Sequence, residues 1–224
     1  VDVNEKHIVI GNSKFEYRFK TPIERALHYK LLAENLQKKY SSMRYDAWLR
    51  RRGVRRRISH YYAKARCIIE DWVKKTSHRI VVLARQHQYA VAREDLTGLV
   101  ESLMKLPREH KVSLLILSYR RISEWIDWQC GKHGVPSIAV DPMDTSTKCP
   151  RCSSKMRENG YRVLKCPRCG FEADRDTVAI LNIEKRALTQ MGGSLATPTA
   201  PQMTDVDPNR CGEPMNPLRG THAL

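Results

Sequence analysis

The chain has 224 residues, of which 41% are hydrophobic, and its 40 Lys and Arg residues outnumber its 24 Asp and Glu residues to leave a formal net charge of +16. This length is enough for one domain of ordinary size and a smaller module. So large a positive charge indicates a polyanionic partner, because the neutralisation of phosphates releases their counterions. The same composition argues against an acidic secreted domain and against a wholly disordered chain.

The sequence contains no candidate membrane span or targeting segment. Its longest apolar run, at residues 112–119, is far shorter than the roughly 20 residues that a membrane-spanning helix needs. No signal peptide opens the chain. The first residue is not Met and lies inside a predicted strand, so we expect this chain to be a fragment of a longer protein.

The amino-terminal part of the chain predicts a small antiparallel sheet. Short strands are predicted at residues 1–3, 7–11 and 14–20. Turn residues such as Gly11 separate these strands, which is typical of a meander. A helix is expected to follow, with Thr21 as its N-cap, Pro22 in its first turn and Glu24 closing a capping box.

The rest of the chain alternates between helical and strand patterns. Helices are predicted at residues 58–84, 114–131 and 174–188, and strands at residues 88–93 and 135–140. Gly131 is expected to end the second of these helices. Residues 191–224 hold five of the 11 prolines and show no helical or strand period, which predicts a disordered tail. The order of elements predicts an α/β fold with a mixed sheet.

Four of the seven cysteines form two CPRC pairs, Cys149 with Cys152 and Cys166 with Cys169, with 13 residues between the pairs. Each pair can direct two sulfurs at one ion, and a hairpin between the pairs can complete a tetrahedral site. Four thiolates leave no open coordination position, so we expect one structural zinc in an inserted ribbon that folds with its metal. A redox site, the alternative, needs only one pair. Reduced thiolates also indicate a cytoplasmic location.

Acidic residues occur at the ends of several predicted elements. They are Asp2 in the first strand, Glu94 after the strand at 88–93, and Asp174 and Asp176 at the start of the last helix. Carboxylates from distant parts of a chain can hold two Mg²⁺ ions, which clamp the attacking and leaving oxygens in phosphodiester hydrolysis. Aspartates at such positions are also common as caps. Spacing alone does not select these residues from the 24 acids.

Several ordered segments of the chain resemble one protein family. They are VDVN at residues 1–4, Glu94-Asp95-Leu96, TSTKCPRC at residues 145–152 and CPRCGFEADRDTVAILNI at residues 166–183. These segments occur in order over roughly residues 1–190. In their residues and their order, the chain resembles the TnpB (OrfB) transposon-encoded proteins. Their catalytic half is a RuvC-like nuclease of the RNase H fold, and they are related to the CRISPR type V effectors. The chain departs from the family pattern at Asn4, where a Gly is common.

The resemblance implies a particular division of the chain and a particular enzyme. The implied parts are a RuvC-like mixed sheet with flanking helices at 1–147, a zinc ribbon at 148–170, the final RuvC helix at 171–190 and the tail at 191–224. The implied activity is DNA cleavage dependent on Mg²⁺ or Mn²⁺, with Asp2, Glu94 and Asp176 as the catalytic metal ligands and Asp174 in a capping or assisting role. Intact family members carry an upstream region that helps to bind a guide RNA and the target duplex. We therefore expect RNA guidance of the longer protein, and a cytoplasmic, nucleoid-associated location.

A strongly cationic segment runs between residues 44 and 79. Its arginine runs are the predicted nucleic-acid contacts: Arg50, Arg51, Arg52, Arg55, Arg56 and Arg57. Blocks of like charge repel one another without a partner, and contacts of this kind would be made to phosphates, without a sequence code. Tyr45, Trp48, Tyr61 and Tyr62 lie among these cations and could stack on bases. The alternative is a solvated helix face with the aromatic rings turned inward.

Three functions are compatible with these patterns. The first is the metal-dependent DNA endonuclease core with a structural zinc. The second is a zinc-ribbon protein that binds DNA or RNA without catalysis, in transposition or its regulation. The third is a strand-transferring recombinase, which would join its products to new ends. Substitution of Asp2 or Glu94 separates the first from the second, because a protein that only binds would keep every activity.

Overall fold

The computed structural model describes residues 1–41, 49–50, 52–105 and 110–192. The predicted amino-terminal meander is present as β1 (Asp2–Val3), β2 (His7–Gly11) and β3 (Glu16–Lys20), which pair antiparallel in that order. Asp2 lies opposite Val9, and Val9 lies opposite Arg18. Because residues directly opposite each other share a face, Asp2 and Arg18 belong to the same face of this sheet.

Three helices enclose the main hydrophobic core. The long helices are α1 (Ile23–Tyr40), α2 (Val54–Gln86) and α4 (His110–His133), and the short α3 (Thr97–Met104) packs on α4. The sides that face one another are apolar, and Ala26, Ile69, Val73 and Ile122 are fully buried there. The predicted helix at 58–84 is therefore confirmed and extends by a few residues at each end.

The start of α1 differs from the prediction. Pro22 is its N-cap, and no side chain caps the helix. Thr21 does not cap it because its hydroxyl donates instead to the carbonyl of Glu5, at 2.6 Å. Thr21 thus ties the helix entry to the turn between β1 and β2, and the expected capping box with Glu24 is not formed.

The end of α4 and the presence of α3 also differ from the prediction. Gly131 lies inside α4, which continues to His133 and stops before Gly134. Gly134 has a φ of +65°, the left-handed conformation that commonly ends a helix. The unpredicted α3 begins after Asp95, whose carboxylate accepts a hydrogen bond from the amide of Thr97 at 3.0 Å.

A parallel pair of strands stands beside the meander. β4 (Val91–Glu94) and β5 (Ser137–Val140) are in register along their whole length, with α3 and α4 as their connection. The amino group of Val1 donates to the carbonyl of Ala92 at 2.5 Å, so β1 adjoins β4. We expected one mixed sheet, but the described residues form two sheets, which meet where Val1 contacts Ala92. The strand at this junction, β1, is only two residues long.

The last helix, α5 (Arg175–Met191), packs against both sheets, and Ile183 and Ala187 form a small core with Val140. The third sheet, which follows β5 in the chain, is antiparallel and contains β6 (Arg157–Glu158), β7 (Val163–Lys165) and β8 (Glu172–Asp174). The hairpin expected between the cysteine pairs is therefore present, and its sheet continues beyond residue 170 to the start of α5.

The predicted last helix at 174–188 is confirmed, with Asp174 as its N-cap. The predicted tail lies outside the described residues from position 193 onwards. Within the part of the chain that the structure describes, no helix is both long and apolar enough to span a membrane.

Candidate metal centres and nucleic-acid surface

The two CPRC turns share one backbone geometry. In each turn the amide of the first cysteine, Cys149 or Cys166, donates to the carbonyl five residues further on, at 2.8 Å in both. The amide four residues further on donates back to the carbonyl of that cysteine, at 2.8 and 3.0 Å. This fourth residue is left-handed in both turns, with a φ of 60° at Ser153 and 70° at Gly170. Backbone hydrogen bonds alone therefore fold each turn around its cysteine pair.

The four cysteine sulfurs converge on one point. The Sγ–Sγ distances are 3.5 Å for Cys149 and Cys169, 3.4 Å for Cys152 and Cys166, and 3.7 Å for Cys152 and Cys169. Sulfurs held about 2.3 Å from a tetrahedral zinc lie about 3.8 Å apart, so these residues fit the ion. Hydrogen bonds from Ser154 lower the pKa of Cys152 to about 6, whereas burial and the neighbouring sulfurs raise the pKa of Cys169 to about 12 against the hydrogen bond from Phe171. The quartet could hold one zinc ion with no position left open for a substrate.

The ribbon and α5 share a hydrophobic core. Met156, Leu164 and Val178, the last on α5, are buried together with Cys149 and Cys166. The core of the ribbon is therefore completed by the helix, and the two are packed as one unit.

Asn182 of α5 secures the chain that enters the ribbon. Its side-chain amide donates to the carbonyls of Thr145 and Lys148, at 2.7 Å each. One turn further along α5, Arg186 donates to the carbonyls of Asp141 and Met143. The path of the backbone before the first CPRC turn is thus fixed by side chains of α5.

Asp2 and Asp176 lie on either side of one amide group. Asp2 is 7% exposed and Asp176 is 2% exposed, although they are 174 positions apart in the chain. The side-chain amide of Asn4 donates to Asp2 at 2.8 Å and to Asp176 at 3.3 Å. Burial raises the pKa of Asp2, and the negative charge of Asp176 raises it further, although the bond from Asn4 acts in the opposite direction. Two like charges are therefore held together in a poorly solvated place.

Glu94 faces the same region from the end of β4. The hydroxyl of Thr145 donates to its carboxylate at 2.5 Å. Burial raises the pKa of Glu94 and the charge of Asp2 adds to the increase, while the bond from Thr145 acts against it. This effect indicates that Glu94 lies near Asp2. We call the predicted acids of β1, β4 and α5 the carboxylate cluster: Asp2, Glu94 and Asp176.

One imidazole and two guanidinium groups surround Asp176. His7 Nε2 lies 2.8 Å from its Oδ2, and Arg18 Nη1 lies 3.4 Å from the same oxygen. Arg162 donates to its Oδ1. Arg162 belongs to the ribbon, where it precedes β7 in the left-handed conformation with a φ of 61°, and its carbonyl accepts from the amide of Arg175 at 2.8 Å. The ribbon therefore contributes a charge to the carboxylate cluster.

The two candidate centres differ in how tightly their ligands are gathered. Among the described residues, the cysteine quartet is the only group of three or more His, Cys, Asp or Glu residues whose ligating atoms all lie within 4.8 Å of one another. Asp2, Glu94 and Asp176 are brought to one region from three elements, but their oxygens do not form so closed a set. Side-chain hydrogen bonds hold them instead, from Asn4 to Asp2 and Asp176 and from Thr145 to Glu94.

The sequence did not predict that these residues would be partners of the carboxylate cluster: Asn4, His7, Arg18, Thr145 and Arg162. For two of them a signal exists, because Asn4 lies two residues after Asp2, and His7 lies two residues before Val9, the residue opposite Asp2. Strand alternation therefore places both on the face that carries Asp2. No sequence pattern relates Arg162 to Asp176, because the position of Arg162 depends on how the ribbon packs against the rest of the chain.

The predicted arginine patch lies at the start of α2. Arg50, Arg52, Arg55, Arg56 and Arg57 are exposed, and Arg51 lies outside the described residues. The first turn of α2 contains no acidic residue. Cations at a helix amino terminus oppose the helix dipole, so these arginines are unfavourable for helix stability.

The aromatic residues of this segment divide into two groups. Tyr45 and Trp48 lie outside the described residues. Tyr61 and Tyr62 are half-buried: the ring of Tyr61 lies 6.3 Å from that of Tyr29, and the hydroxyl of Tyr62 donates to Gln37 at 3.0 Å. Both tyrosines thus pack on α1, as the alternative to base stacking expects.

Comparisons with known proteins agree with these features. The family model described as "Cas12f1-like, TNB domain" matches residues 119–183. A TnpB-like protein of Methanocaldococcus jannaschii is 27% identical over 199 residues, which cover 88% of this chain and 71% of that protein. A second TnpB-like protein of the same organism is 37% identical over 165 residues, which cover 72% of this chain and 74% of that protein.

Two further similarities involve Cas12f1. A CRISPR-associated endodeoxyribonuclease Cas12f1 of Sulfoacidibacillus thermotolerans is 32% identical over 75 residues, which cover 30% of this chain and 18% of that protein. The structure of a Cas12f1–sgRNA–target DNA complex superposes with a TM-score of 0.55 at 18% identity, over 81% of this chain. The chain spans about half of that Cas12f1 chain, 48%. This likeness shows a shared mixed α/β fold.

The fold, the cysteine quartet and these similarities define a class of transposon-associated proteins related to the Cas12 nucleases. Within that class, the chain belongs to the TnpB family, because more than two thirds of a TnpB-like protein aligns with it at 37% identity.

Proposed function

We propose that this chain is the RNase H-like (RuvC-like) nuclease core of a TnpB protein and that it hydrolyses DNA phosphodiester bonds at the carboxylate cluster. The observation that carries the proposal is the meeting of three acids, from β1, β4 and α5, in a poorly solvated place. The relative from Sulfoacidibacillus thermotolerans, which is named an endodeoxyribonuclease, supports the substrate class.

The residues of the cluster fit divalent cations. Carboxylate oxygens are the ligands that Mg²⁺ and Mn²⁺ prefer. Burial raises the pKa values of Asp2 and Glu94, and neighbouring acidic charge raises them further, so a bound divalent cation would relieve an unfavourable ionisation. When bound, one or two such ions would lower the pKa of an attacking water and stabilise the leaving oxygen. Asp2, Glu94 and Asp176 are the residues that would hold them.

The neighbouring side chains orient these carboxylates and balance their charge. Asn4 directs Asp2 and Asp176 towards each other, and the hydroxyl of Thr145 fixes one oxygen of Glu94. Arg18 and Arg162 neutralise Asp176 and can pair equally well with a phosphate of a bound strand. The neighbouring side chains thus orient the carboxylates and balance their charge, while the carboxylates themselves would bind the metal ions.

The ribbon is proposed to be structural and to position one side of this site. Zinc at the cysteine quartet would hold the ribbon against α5, and with it Arg162 against Asp176. The proposed parts are a nuclease core at 1–147, a ribbon that starts at 148 and extends past the expected end at 170 through β8, the last core helix α5, and a tail at 191–224. In the longer protein a guide RNA would direct cleavage, by analogy with the complex of Cas12f1 with sgRNA and target DNA.

Two measurements test the nuclease proposal on the 224-residue chain. The first is Mn²⁺ binding followed by electron paramagnetic resonance, and the second is Mg²⁺-dependent cleavage of end-labelled DNA. Asp2→Asn, Glu94→Gln and Asp176→Asn should each weaken Mn²⁺ binding by at least about tenfold and abolish cleavage. Glu101→Gln, at an exposed acid on α3, is the matched control and should leave both unchanged.

The outcomes separate the proposal from its alternative. Equal Mn²⁺ binding by the wild-type chain and all three variants would overturn the nuclease proposal. A protein that binds DNA or RNA without catalysis would then be favoured, since the exposed arginines of α2 do not depend on the carboxylates. Labelled products joined to new ends would instead identify a strand-transfer activity.

A further inference from the structure

Arg18 of β3 is shared by three acidic side chains. Its Nε donates to Glu16 at 2.8 Å, its Nη2 donates to Asp174 at 3.3 Å, and its Nη1 lies 3.4 Å from Oδ2 of Asp176. Hydrogen bonds between a charged nitrogen and a charged oxygen are ordinarily about 2.7–2.9 Å long. The guanidinium group is therefore bonded closely to Glu16 and only loosely to the two acids at the start of α5.

This distribution of distances is the reverse of what burial favours. Asp176 is buried, whereas the side chain of Glu16 is 27% exposed. Opposite charges attract more strongly where water is excluded, so charge alone would draw Arg18 closest to Asp176. The oxygen concerned, Oδ2 of Asp176, lies 2.8 Å from a nitrogen of His7 and can accept two hydrogen bonds. The longer distance from Arg18 to Asp176 therefore needs another explanation.

Glu16 supplies that explanation, because it is fixed at both of its carboxylate oxygens. Its Oε1 accepts from Arg18, and its Oε2 accepts from the hydroxyl of Thr177 on α5, at 2.7 Å. A guanidinium group is planar and its donors are rigidly spaced, so a bond at Nε sets the directions of both Nη atoms. The anchored carboxylate of Glu16 thus determines how near Arg18 comes to Asp176.

We propose that Glu16 is a positioning residue that holds Arg18 away from Asp176 and so leaves Asp176 free to bind a divalent cation. The proposal rests on the proposed nuclease function, in which Asp176 is a metal ligand. A guanidinium group and a metal ion compete for one carboxylate, because each stabilises its negative charge. Without Glu16, Arg18 would form a close ion pair with Asp176, and the metal ion would have to displace it.

Mn²⁺ binding by the full chain, followed by electron paramagnetic resonance, tests the proposal in a cycle of Glu16→Gln, Arg18→Gln and the double variant. Glu16→Gln should weaken Mn²⁺ binding by about fivefold, the size of an ordinary coupling between residues in contact. Arg18→Gln alone should bind Mn²⁺ at least as tightly as wild type. In the Arg18→Gln background, Glu16→Gln should cause no further change, because the residue that Glu16 restrains is then absent.

That last result separates the proposal from two simpler roles of Glu16. If Glu16 only added negative charge near the metal, or only stabilised the fold, its substitution would weaken Mn²⁺ binding by the same factor with and without Arg18. Such a result would overturn the proposal. Glu124→Gln is the matched control, since Glu124 shares Arg121 with the less exposed Glu70, outside the carboxylate cluster. This control should leave Mn²⁺ binding unchanged.

Thr177 allows a test by rescue. Thr177→Val removes the hydroxyl that anchors Glu16 and should weaken Mn²⁺ binding by about twofold, because one neutral hydrogen bond is lost. Thr177→Ser keeps the hydroxyl and should bind Mn²⁺ as wild type does. Equal Mn²⁺ binding by the two variants would contradict the anchoring of Glu16 by α5.

A second measurement needs no metal. Urea unfolding of the metal-free chain gives the coupling between Arg18 and Asp176 from Arg18→Gln, Asp176→Asn and their combination. Glu16→Gln should increase this coupling, so that the loss of Arg18 shifts the unfolding midpoint further than it does in the wild-type background. An unchanged coupling would show that Glu16 does not hold Arg18 back.

Failure of this proposal and failure of the nuclease proposal are distinguishable. Mn²⁺ binding that ignores Asp2, Glu94 and Asp176 would overturn the nuclease proposal, and the effect of Glu16→Gln on the coupling between Arg18 and Asp176 would remain. If Glu16 has no restraining role, Mn²⁺ binding would still depend on the three carboxylates, but the effect of Glu16→Gln on it would not depend on Arg18.

Discussion

The cysteine quartet and the carboxylate cluster are two ligand sets built in opposite ways. The quartet comes from 21 consecutive residues, residues 149–169, and its sulfurs meet through backbone hydrogen bonds of two similar turns. The cluster gathers acids from β1, β4 and α5; Asn4 bonds both Asp2 and Asp176, and Thr145 bonds Glu94. Local turns of the backbone hold the sulfurs together, whereas buried carboxylates from distant elements repel one another and need cations or amide groups between them.

The largest expected effect is the loss of zinc from the ribbon. Cys149→Ser should abolish zinc binding, and with it most of the folding free energy of the ribbon, because structural zinc in small domains contributes about 10–16 kcal/mol. Metal analysis by mass spectrometry should find one zinc per wild-type chain and none in the variant, and limited proteolysis should cut the ribbon. Cys130→Ala, at a buried cysteine outside the quartet, should keep its zinc.

The next effect tests whether protein cations substitute for metal in the cluster. Arg162→Gln should destabilise the metal-free chain by about 1–3 kcal/mol, because it removes an ionic partner from a carboxylate that is 2% exposed. Added Mg²⁺ should recover more stability in this variant than in wild type, as thermal unfolding would show. Arg157→Gln, at an exposed arginine of β6, should leave both quantities unchanged; equal behaviour of the two variants would contradict the role of Arg162.

The pH dependence of the free energy of unfolding tests whether the buried carboxylates of the cluster destabilise the metal-free chain. A carboxyl whose pKa is raised in the folded state holds its proton more tightly there, so its ionisation costs stability as the pH rises. Asp2→Asn should therefore stabilise the metal-free chain at neutral pH, by on the order of 1 kcal/mol. The gain should vanish as the pH falls through the raised pKa to the ordinary value of 3.8. Urea unfolding at several pH values measures this, and a gain that grows towards acid would contradict it.

The smallest expected effect compares the two turns of the ribbon. Ser153 and Gly170 occupy equivalent left-handed positions, which cost a non-glycine residue about 1 kcal/mol. Ser153→Gly should therefore stabilise the zinc-bound ribbon by up to about 1 kcal/mol, and Gly170→Ser should destabilise it by a similar amount. Competition with a chromogenic zinc chelator would measure both, and changes of the same sign would refute the equivalence of the turns.

The two centres also differ in how far the sequence predicts them. The ribbon was predictable because spacing within 21 residues determines it, and Asp174 was predictable as a cap because capping is local. The carboxylate cluster was not, since no spacing rule selects Asp2, Glu94 and Asp176 among 24 acids, and the resemblance to the TnpB proteins supplied the choice. Thr21 shows the same limit on a small scale: its sequence position favours a cap, but a carbonyl 16 residues away takes its hydroxyl.

Asp174 ends the last strand of the ribbon and caps the helix that carries Asp176, with no residue of linker between the two elements. The ribbon and this helix are therefore joined without a linker. Where the last strand of the ribbon lies determines where the first turn of the helix begins, and that turn holds Asp176.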